Sequence, residues 1–224
     1  MVMALDAADH GKVSAAIAAA EASSDGEILA IATDCSDAYH DVGLHYAVLA
    51  LFVLLAAAAA WPASLDWSWT LLMGWSTPPT QRELLTLLLG IGLLTFLVVL
   101  FVMKWMPLRL ALTPGATKTR RVRRRAIALF KAGAERRTVG RTGVLIYLSM
   151  GEHRAEIVAD EAIVKVTEPD TWGEAMAALI VEVKAGRPAD GIVAAIERVG
   201  AVLAEHFPRS DDDSNEIPDK LIEL

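Results

Sequence analysis

The sequence predicts an α/β fold, with a small mixed sheet of about three to four strands sandwiched by helices and interrupted by a two-helix transmembrane hairpin. Three observations carry this expectation. Leu84 to Met103 (LLTLLLGIGLLTFLVVLFVM) is twenty residues without a charge, long enough at about 1.5 Å per residue to cross the roughly 30 Å hydrocarbon core of a bilayer. A second apolar run, Leu44 to Trp61 (LHYAVLALFVLLAAAAAW), precedes it. Two strand-like runs, EILAIAT and VLIYLS, stand on either side of this pair among segments with the period of amphipathic helices.

From Asp9 to Ala22 the apolar positions Val13, Ala16, Ile17 and Ala20 predict a helix that Asp6 or Asp9 can cap. Ser23-Ser24-Asp25-Gly26 is a turn, Glu27 to Thr33 a strand, and Asp34 to Asp41 a polar, largely acidic link. The first span, 44–61, has Tyr46 and Trp61 at its two ends, and its alanine run from Ala56 to Ala60 gives a smooth face for a second helix. Between the spans, Trp67, Trp69 and Trp75 with Pro62, Pro78 and Pro79 predict a short loop lying in the headgroup layer. The second span, 84–103, ends at Lys104. Beyond Pro114-Gly115, Thr117 can cap a helix to about Gly133, with Val122, Ala126, Ile127, Leu129 and Phe130 on its apolar side. Val144 to Ser149 and His153 to Ala159 form two strands about the tight connection Met150-Gly151-Glu152. Three helices follow: one opened by Asp160 and Glu161, one from Asp170 or Thr171 to about Ala185, and one from about Ala189 to Pro208. The predicted organisation is therefore an N-terminal half-domain (1–43), the hairpin (44–104), the second half-domain (105–208) and an acidic tail (209–224) whose Leu221, Ile222 and Leu224 can dock back. The hairpin falls where a helical crossover should join the first strand to the second, so the two halves are expected to fold together.

The formal net charge of -7 hides an asymmetry. Lys104, Arg109, Lys118, Arg120, Arg121, Arg123, Arg124 and Arg125 cluster after the second span, while the loop between the spans has Arg82 and the N-terminal segment Lys12. Because Lys and Arg are retained on the cytoplasmic side, this places both termini in the cytosol, in the cell's inner membrane. Lys118, Arg120, Arg121, Arg123, Arg124 and Arg125 are the expected contacts to anionic lipid, and nucleic acid is not an expected partner. The single cysteine, Cys35, excludes an internal disulfide and any zinc site of several thiolates. The start, MVMALDAADHGKV, lacks the basic and apolar blocks of a signal peptide.

No complete catalytic constellation is visible. Asp34 follows the first strand and Asp160 the third, with Glu161 beside it, and these are the candidate ligands for a divalent cation, calcium or magnesium, or for phosphoryl transfer. They converge only if both strand ends lie at one rim. If the two strands run antiparallel, they stand at opposite rims. Arg141, Thr142 and Gly143 have the charge and flexibility of an anion-binding turn, or of a plain turn with Arg141 pairing an acid. The five histidines have no ligand spacing, Gly11-Lys12 is not a P-loop, no serine lies in G-x-S-x-G, and Cys35 has no evident base.

The stretches AIAAAEASSDGEI, RTGVLIYLSMGEHRAEIVAD, PADGIVAAIERVGAVLAEHFP and NEIPDKLIEL, with a Trp-centred helix between the second and third, together resemble the TPM domain family, in its bacterial membrane-protein branch of unknown function. Arg141 to Leu145, Ile157 to Asp160 and Asp190-Gly191 carry the likeness most clearly. The resemblance implies an α/β sandwich around a mixed sheet of about four strands. It also implies one of several roles: acid phosphatase in some plant members, assembly factor or receptor auxiliary in others, with calcium held by acidic residues near strand ends in some. The chain differs from the better-known members in having no N-terminal signal and no C-terminal anchor. The expected function is a partner-binding or membrane-complex assembly module, with the bilayer and another membrane protein as partners. A metal-dependent phosphatase and an anionic-lipid sensor are the alternatives.

Overall fold

The computed structural model describes residues 5–75, 78–133, 142–168, 170–210 and 218–224. In chain order its elements are α1 (Ala7–Glu21), β1 (Glu27–Thr33), α2 (His40–Ala60), α3 (Ala63–Met73), α4 (Gln81–Val102), α5 (Met106–Leu112), α6 (Gly115–Gly133), β2 (Gly143–Ser149), β3 (Arg154–Ala159), α7 (Glu161–Val166), α8 (Gly173–Lys184), α9 (Pro188–His206) and β4 (Leu221–Glu223). They fall into two units: Met1–Asp37 with Gly115–Leu224, and Ala38–Pro114.

The first unit is built on a four-stranded sheet of order β3-β2-β1-β4. β1 runs parallel to β2 and to β4, and β2 runs antiparallel to β3. β1 and β2 are buried along their whole length, so they read as continuous apolar runs and not as alternating ones. Ile28, Ala30, Val144, Ile146 and Leu148 face Val13 and Ile17 of α1 and Ile192, Ile196, Val199 and Leu203 of α9. Leu29, Ile31, Leu145 and Tyr147 face Val122, Ala126 and Phe130 of α6. The sandwich expected from the sequence is thus present, and α6 is the crossover helix that a parallel β1-β2 pair requires. Asp6 caps α1 through a reciprocal box with Asp9, Asp6 Oδ1 accepting from Asp9 N at 2.8 Å.

Close helix contacts set the second layer. Where α9 crosses α8, a Cβ at Gly191 would lie 2.8 Å from the Leu179 carbonyl oxygen, a backbone atom that cannot swing away. Gly191→Ala is therefore expected to lower stability by about 2 kcal/mol. Gly173→Ala, whose Cβ would meet nothing within 4 Å, is the control. Urea midpoints of the two variants check this, and equal midpoints would remove the close-contact account.

The second unit holds the two apolar helices, α2 with mean hydropathy 2.2 and α4 with 2.8, both long enough to cross a membrane. Only 17% and 6% of their most apolar windows are buried, whereas the core helix of a soluble protein is mostly covered. α4 lies close on α2 at Gly92, where a Cβ would stand 3.1 Å from Leu51 Cδ1. Two helices are additions to the sequence reading. The Trp-rich segment expected to be a loop contains α3, with Ser68 and Thr70 hydroxyls donating to the carbonyls of Ser64 and Asp66 at 2.7 and 2.8 Å. The stretch after Lys104 contains α5, begun at Met106-Pro107 where proline's missing N–H costs nothing. A capping box of Thr80 and Glu83 starts α4, Thr80 N donating to Glu83 Oε2 at 2.7 Å.

Candidate functional site

The carboxyl ends of β1 and β2 lie side by side, with Thr33 paired to Ser149, and the loops leaving them form one buried polar cluster. Its centre is Glu152, 2% exposed, in the turn between β2 and β3. Glu152 Oε1 accepts from Ser36 N at 2.8 Å, and Oε2 accepts from the hydroxyl of Ser149, which is itself fully buried. Ser36 Oγ shares a 2.9 Å hydrogen bond with the Tyr147 hydroxyl. Gly151 N donates to Asp34 O at 2.8 Å, and Met150 N to Thr33 O at 2.9 Å. The turn closes through His153 in the left-handed region at φ 51. Burial, with Glu152 close by, pushes the Cys35 thiol up to about 11, so at neutral pH it is a thiol and a poor nucleophile. Burial likewise raises the Tyr147 phenol, against the lowering hydrogen bond from Ser36.

This cluster fixes the Asp34–Asp37 segment, after which the chain leaves the first unit. The segment is tied a second time, since Arg121 Nη1 of α6 meets Asp37 Oδ2 at 3.0 Å, with side chains 13% and 30% exposed. Arg124 Nη2 approaches the same carboxylate at 3.8 Å. The point where the chain departs, Asp37, is therefore joined by an ion pair to Arg121 of α6, the helix on which the chain returns to the unit. Chemically the arrangement holds backbone in place. Its carboxylates spend their lone pairs on amides, hydroxyls and arginine.

The second unit has a matching clamp. Arg109, 9% exposed, donates through Nη1 to Ala38 O and through Nη2 to Lys104 O at 3.0 Å, joining the first residue of that unit to the end of α4. Its Nη1 also stands 3.2 Å from His40 Nδ1. A guanidinium only donates, so Nδ1 is the acceptor and a neutral His40 carries its proton on Nε2.

Because β1 and β3 run antiparallel, Asp34 and Asp160 lie at opposite rims, separated by roughly the 20 Å rise of a seven-residue strand. Asp160 is 4% exposed; its amide donates to Gly143 O at 2.9 Å and its Oδ2 accepts from Gly143 N at 3.4 Å, which sews the end of β3 to the start of β2. Glu161 points outward and pairs with Lys165 at 2.8 Å. Among the described residues, no group of three or more His, Cys, Asp or Glu is placed to hold a metal ion. Of the three anion-turn residues, Arg141 lies outside the described residues, Thr142 is buried with its hydroxyl donating to Asp25 O at 2.8 Å, and the Gly143 amide serves Asp160. Of the six lipid-contact residues, Arg120, Arg123, Arg124 and Arg125 are exposed, Lys118 is half-buried, and Arg121 is turned onto Asp37.

Sequence reasoning passed over Glu152 and Arg109. A glutamate in a tight connection looks like a solvated turn residue, and an arginine within a basic run looks like one more topogenic charge.

Residues 110–202, from α5 into α9 and including the β2-β3 pair, match the TPM domain model. The chain carries a TPM domain. α1, β1 and β4 lie outside the matched stretch, although β1 is the strand beside β2 in the same sheet. The NMR structure of the BA42 protein from the psychrophilic bacterium Bizionia argentinensis aligns with a TM-score of 0.57 at 19% identity, over 100% of this chain and 98% of that one, which shows a shared fold. No curated protein matches the chain.

Proposed function

We propose that the chain is a two-span protein of the inner membrane, with both termini in the cytosol, whose TPM domain binds a second membrane protein or helps assemble a membrane complex. The observation that carries this reading is the insertion of two long, largely uncovered apolar helices at one point of the domain, between Asp37 and Gly115. A domain tied this closely to a hairpin acts at the bilayer surface. The orientation rests on the basic residues after α4 against the lone Arg82 in its first turn. A non-catalytic role is supported by the separation of Asp34 from Asp160 and by the structural use of Glu152 and Asp160.

Copurification of the tagged full chain from membranes in mild detergent tests the role. The expected result is a stoichiometric membrane-protein partner retained by Asp160→Asn. No partner, together with divalent-metal-dependent phosphate release that Asp160→Asn abolishes, would replace this reading with the phosphatase one. Orientation is tested with single thiols in a Cys35→Ser background, because Cys35 itself is too poorly ionised to report quickly. A membrane-impermeant maleimide on intact cells is expected to label Ser64→Cys and to spare Lys184→Cys, both exposed positions. The reverse pattern would invert the topology.

A second reading has its own observation, the exposed arginines of α6. Each basic residue near an anionic bilayer contributes about 1 kcal/mol, so neutralising Arg120, Arg123 and Arg124 to glutamine should remove any preference of the reconstituted protein for anionic lipid.

A further inference from the structure

The hairpin unit carries a groove in which an apolar floor meets two opposite charges. It lies between α3 and the first half of α4, with a volume of about 750 Å³, and Leu72 and Met73 of α3 line one wall. Leu87, Gly90, Ile91 and Leu94 of α4 line the other, and Arg82 and Glu83, in the first turn of α4, bring the charges to it. Both charged side chains are exposed.

The length of this groove separates a lipid from a helix. From Arg82 to Leu94 α4 climbs twelve residues, about 18 Å at about 1.5 Å each, which is the depth of one leaflet's share of a roughly 30 Å hydrocarbon core with the edge of its headgroup layer. An acyl chain hanging from a headgroup ends there, whereas a spanning helix of a partner would continue past Leu94. Gly90 makes the floor open. A Cβ at Gly90 would meet nothing within 4 Å, so no helix contact requires the glycine, in contrast to Gly92, where Leu51 Cδ1 stands at 3.1 Å.

The charges set the headgroup. Arg82 is the only Lys or Arg between Lys12 and Lys104, and among the described residues no carboxylate pairs with it. Thr80 N and Thr80 Oγ1 both donate to Glu83 Oε2 at 2.7 Å, which leaves Oε1 open as an acceptor among the described residues. A guanidinium takes a phosphate through its fork of N–H groups, and a carboxylate takes an ammonium. The groove on the α2 side of α4, lined by Leu51, Leu55, Leu88 and Leu93, has no charged residue.

We propose that the α3–α4 groove is a site for one phosphatidylethanolamine molecule of the outer leaflet, with its phosphate on Arg82, its primary ammonium on Glu83 and one acyl chain along Gly90 to Leu94. The inference rests on the two-span reading. A phosphatidylglycerol headgroup satisfies Arg82 but offers Glu83 no cation. The quaternary ammonium of phosphatidylcholine keeps the charge and has no N–H to donate.

Native mass spectrometry of the full chain in mild detergent, with phosphatidylethanolamine and phosphatidylglycerol added at equal concentration, tests this. One phosphatidylethanolamine adduct is expected, favoured about tenfold, the worth of one charge-assisted hydrogen bond. Gly90→Leu, which fills the floor without striking a neighbour, should remove it, and Leu93→Phe in the uncharged groove should not. Arg82→Gln should weaken both lipids. Glu83→Gln, which retains a capping acceptor for Thr80, should keep an adduct and lose the preference. Circular dichroism shows that each variant is folded. Equal adducts of the two lipids, an adduct that survives Gly90→Leu, or a dimer of the chain that Gly90→Leu dissociates overturns the proposal, the last by giving the groove to a second copy. Flotation with vesicles reports the two-span reading separately. A chain that does not float loses that reading and this inference with it, while one that floats but shows no adduct dependent on Gly90 loses the inference alone.

Discussion

Replacing Glu152 by alanine is expected to lower the stability of the first unit by about 3 kcal/mol, a large change for a single side chain. The carboxylate is the shared acceptor for the Ser36 amide and the Ser149 hydroxyl, and Ser149 is fully buried. Its removal strands two donors where water enters poorly, at about 1–3 kcal/mol for each unsatisfied group, and leaves a cavity besides. Glu152→Gln keeps one acceptor but turns an amide N–H₂ toward the other donor, so roughly half the loss is expected. Amide hydrogen exchange across β2 (Gly143–Ser149) as a function of urea measures the effect. An unchanged midpoint in Glu152→Ala would mean that Glu152 contributes little and that the Asp34–Asp37 segment is held by its other ties, to Gly151, Tyr147 and Arg121.

The second large effect is expected in the hairpin unit. Arg109→Ala removes the donor shared by Ala38 O and Lys104 O and leaves those carbonyls to each other in a partly buried place. Hydrogen bonds from a charged donor contribute about 1.5–3 kcal/mol each, so a net loss near 3 kcal/mol, or roughly 100-fold in the opening equilibrium, is expected. Arg109→Lys is expected to recover only part, because an ammonium cannot span two acceptors as the planar fork does. The readout is the rate at which a thiol placed at Met103, 8% exposed and packed over Gly43, reacts with a maleimide in the Cys35→Ser background. Equal rates with and without the Arg109→Ala substitution would assign the closure of the hairpin to α2-α4 packing instead.

Both predictions concern residues whose roles are tertiary. The two long apolar helices, β1, β2 and the apolar face of α6 were legible because each depends on a local property: an uninterrupted apolar length, a run of aliphatic residues, or a period of three and four. The antiparallel turn of β3 on β2 was legible too, and with it the condition that decides whether Asp34 and Asp160 meet. What made it bind was the parallel pairing of β1 with β2, formed across the whole inserted hairpin. α3 stayed hidden because its tryptophans and hydroxyl residues, in a segment bounded by Pro62 and Pro78, read as an interfacial loop, and α5 because seven residues show no period.

The sequence by itself determined that an α/β domain is interrupted by two apolar lengths long enough to cross a bilayer, since hydrophobic burial and helix rise act residue by residue. Only the tertiary structure decided which charged residues are buried. Glu152, Arg109 and Arg121 look like surface residues in their own segments, and each is drawn inward by acceptors, donors or charges from distant stretches of chain. A charge is stable inside only where such partners meet it, and the meeting is a property of the fold. That is why the place where the domain departs for the hairpin and returns from it is visible as chemistry only once β1, β2 and α6 are packed together.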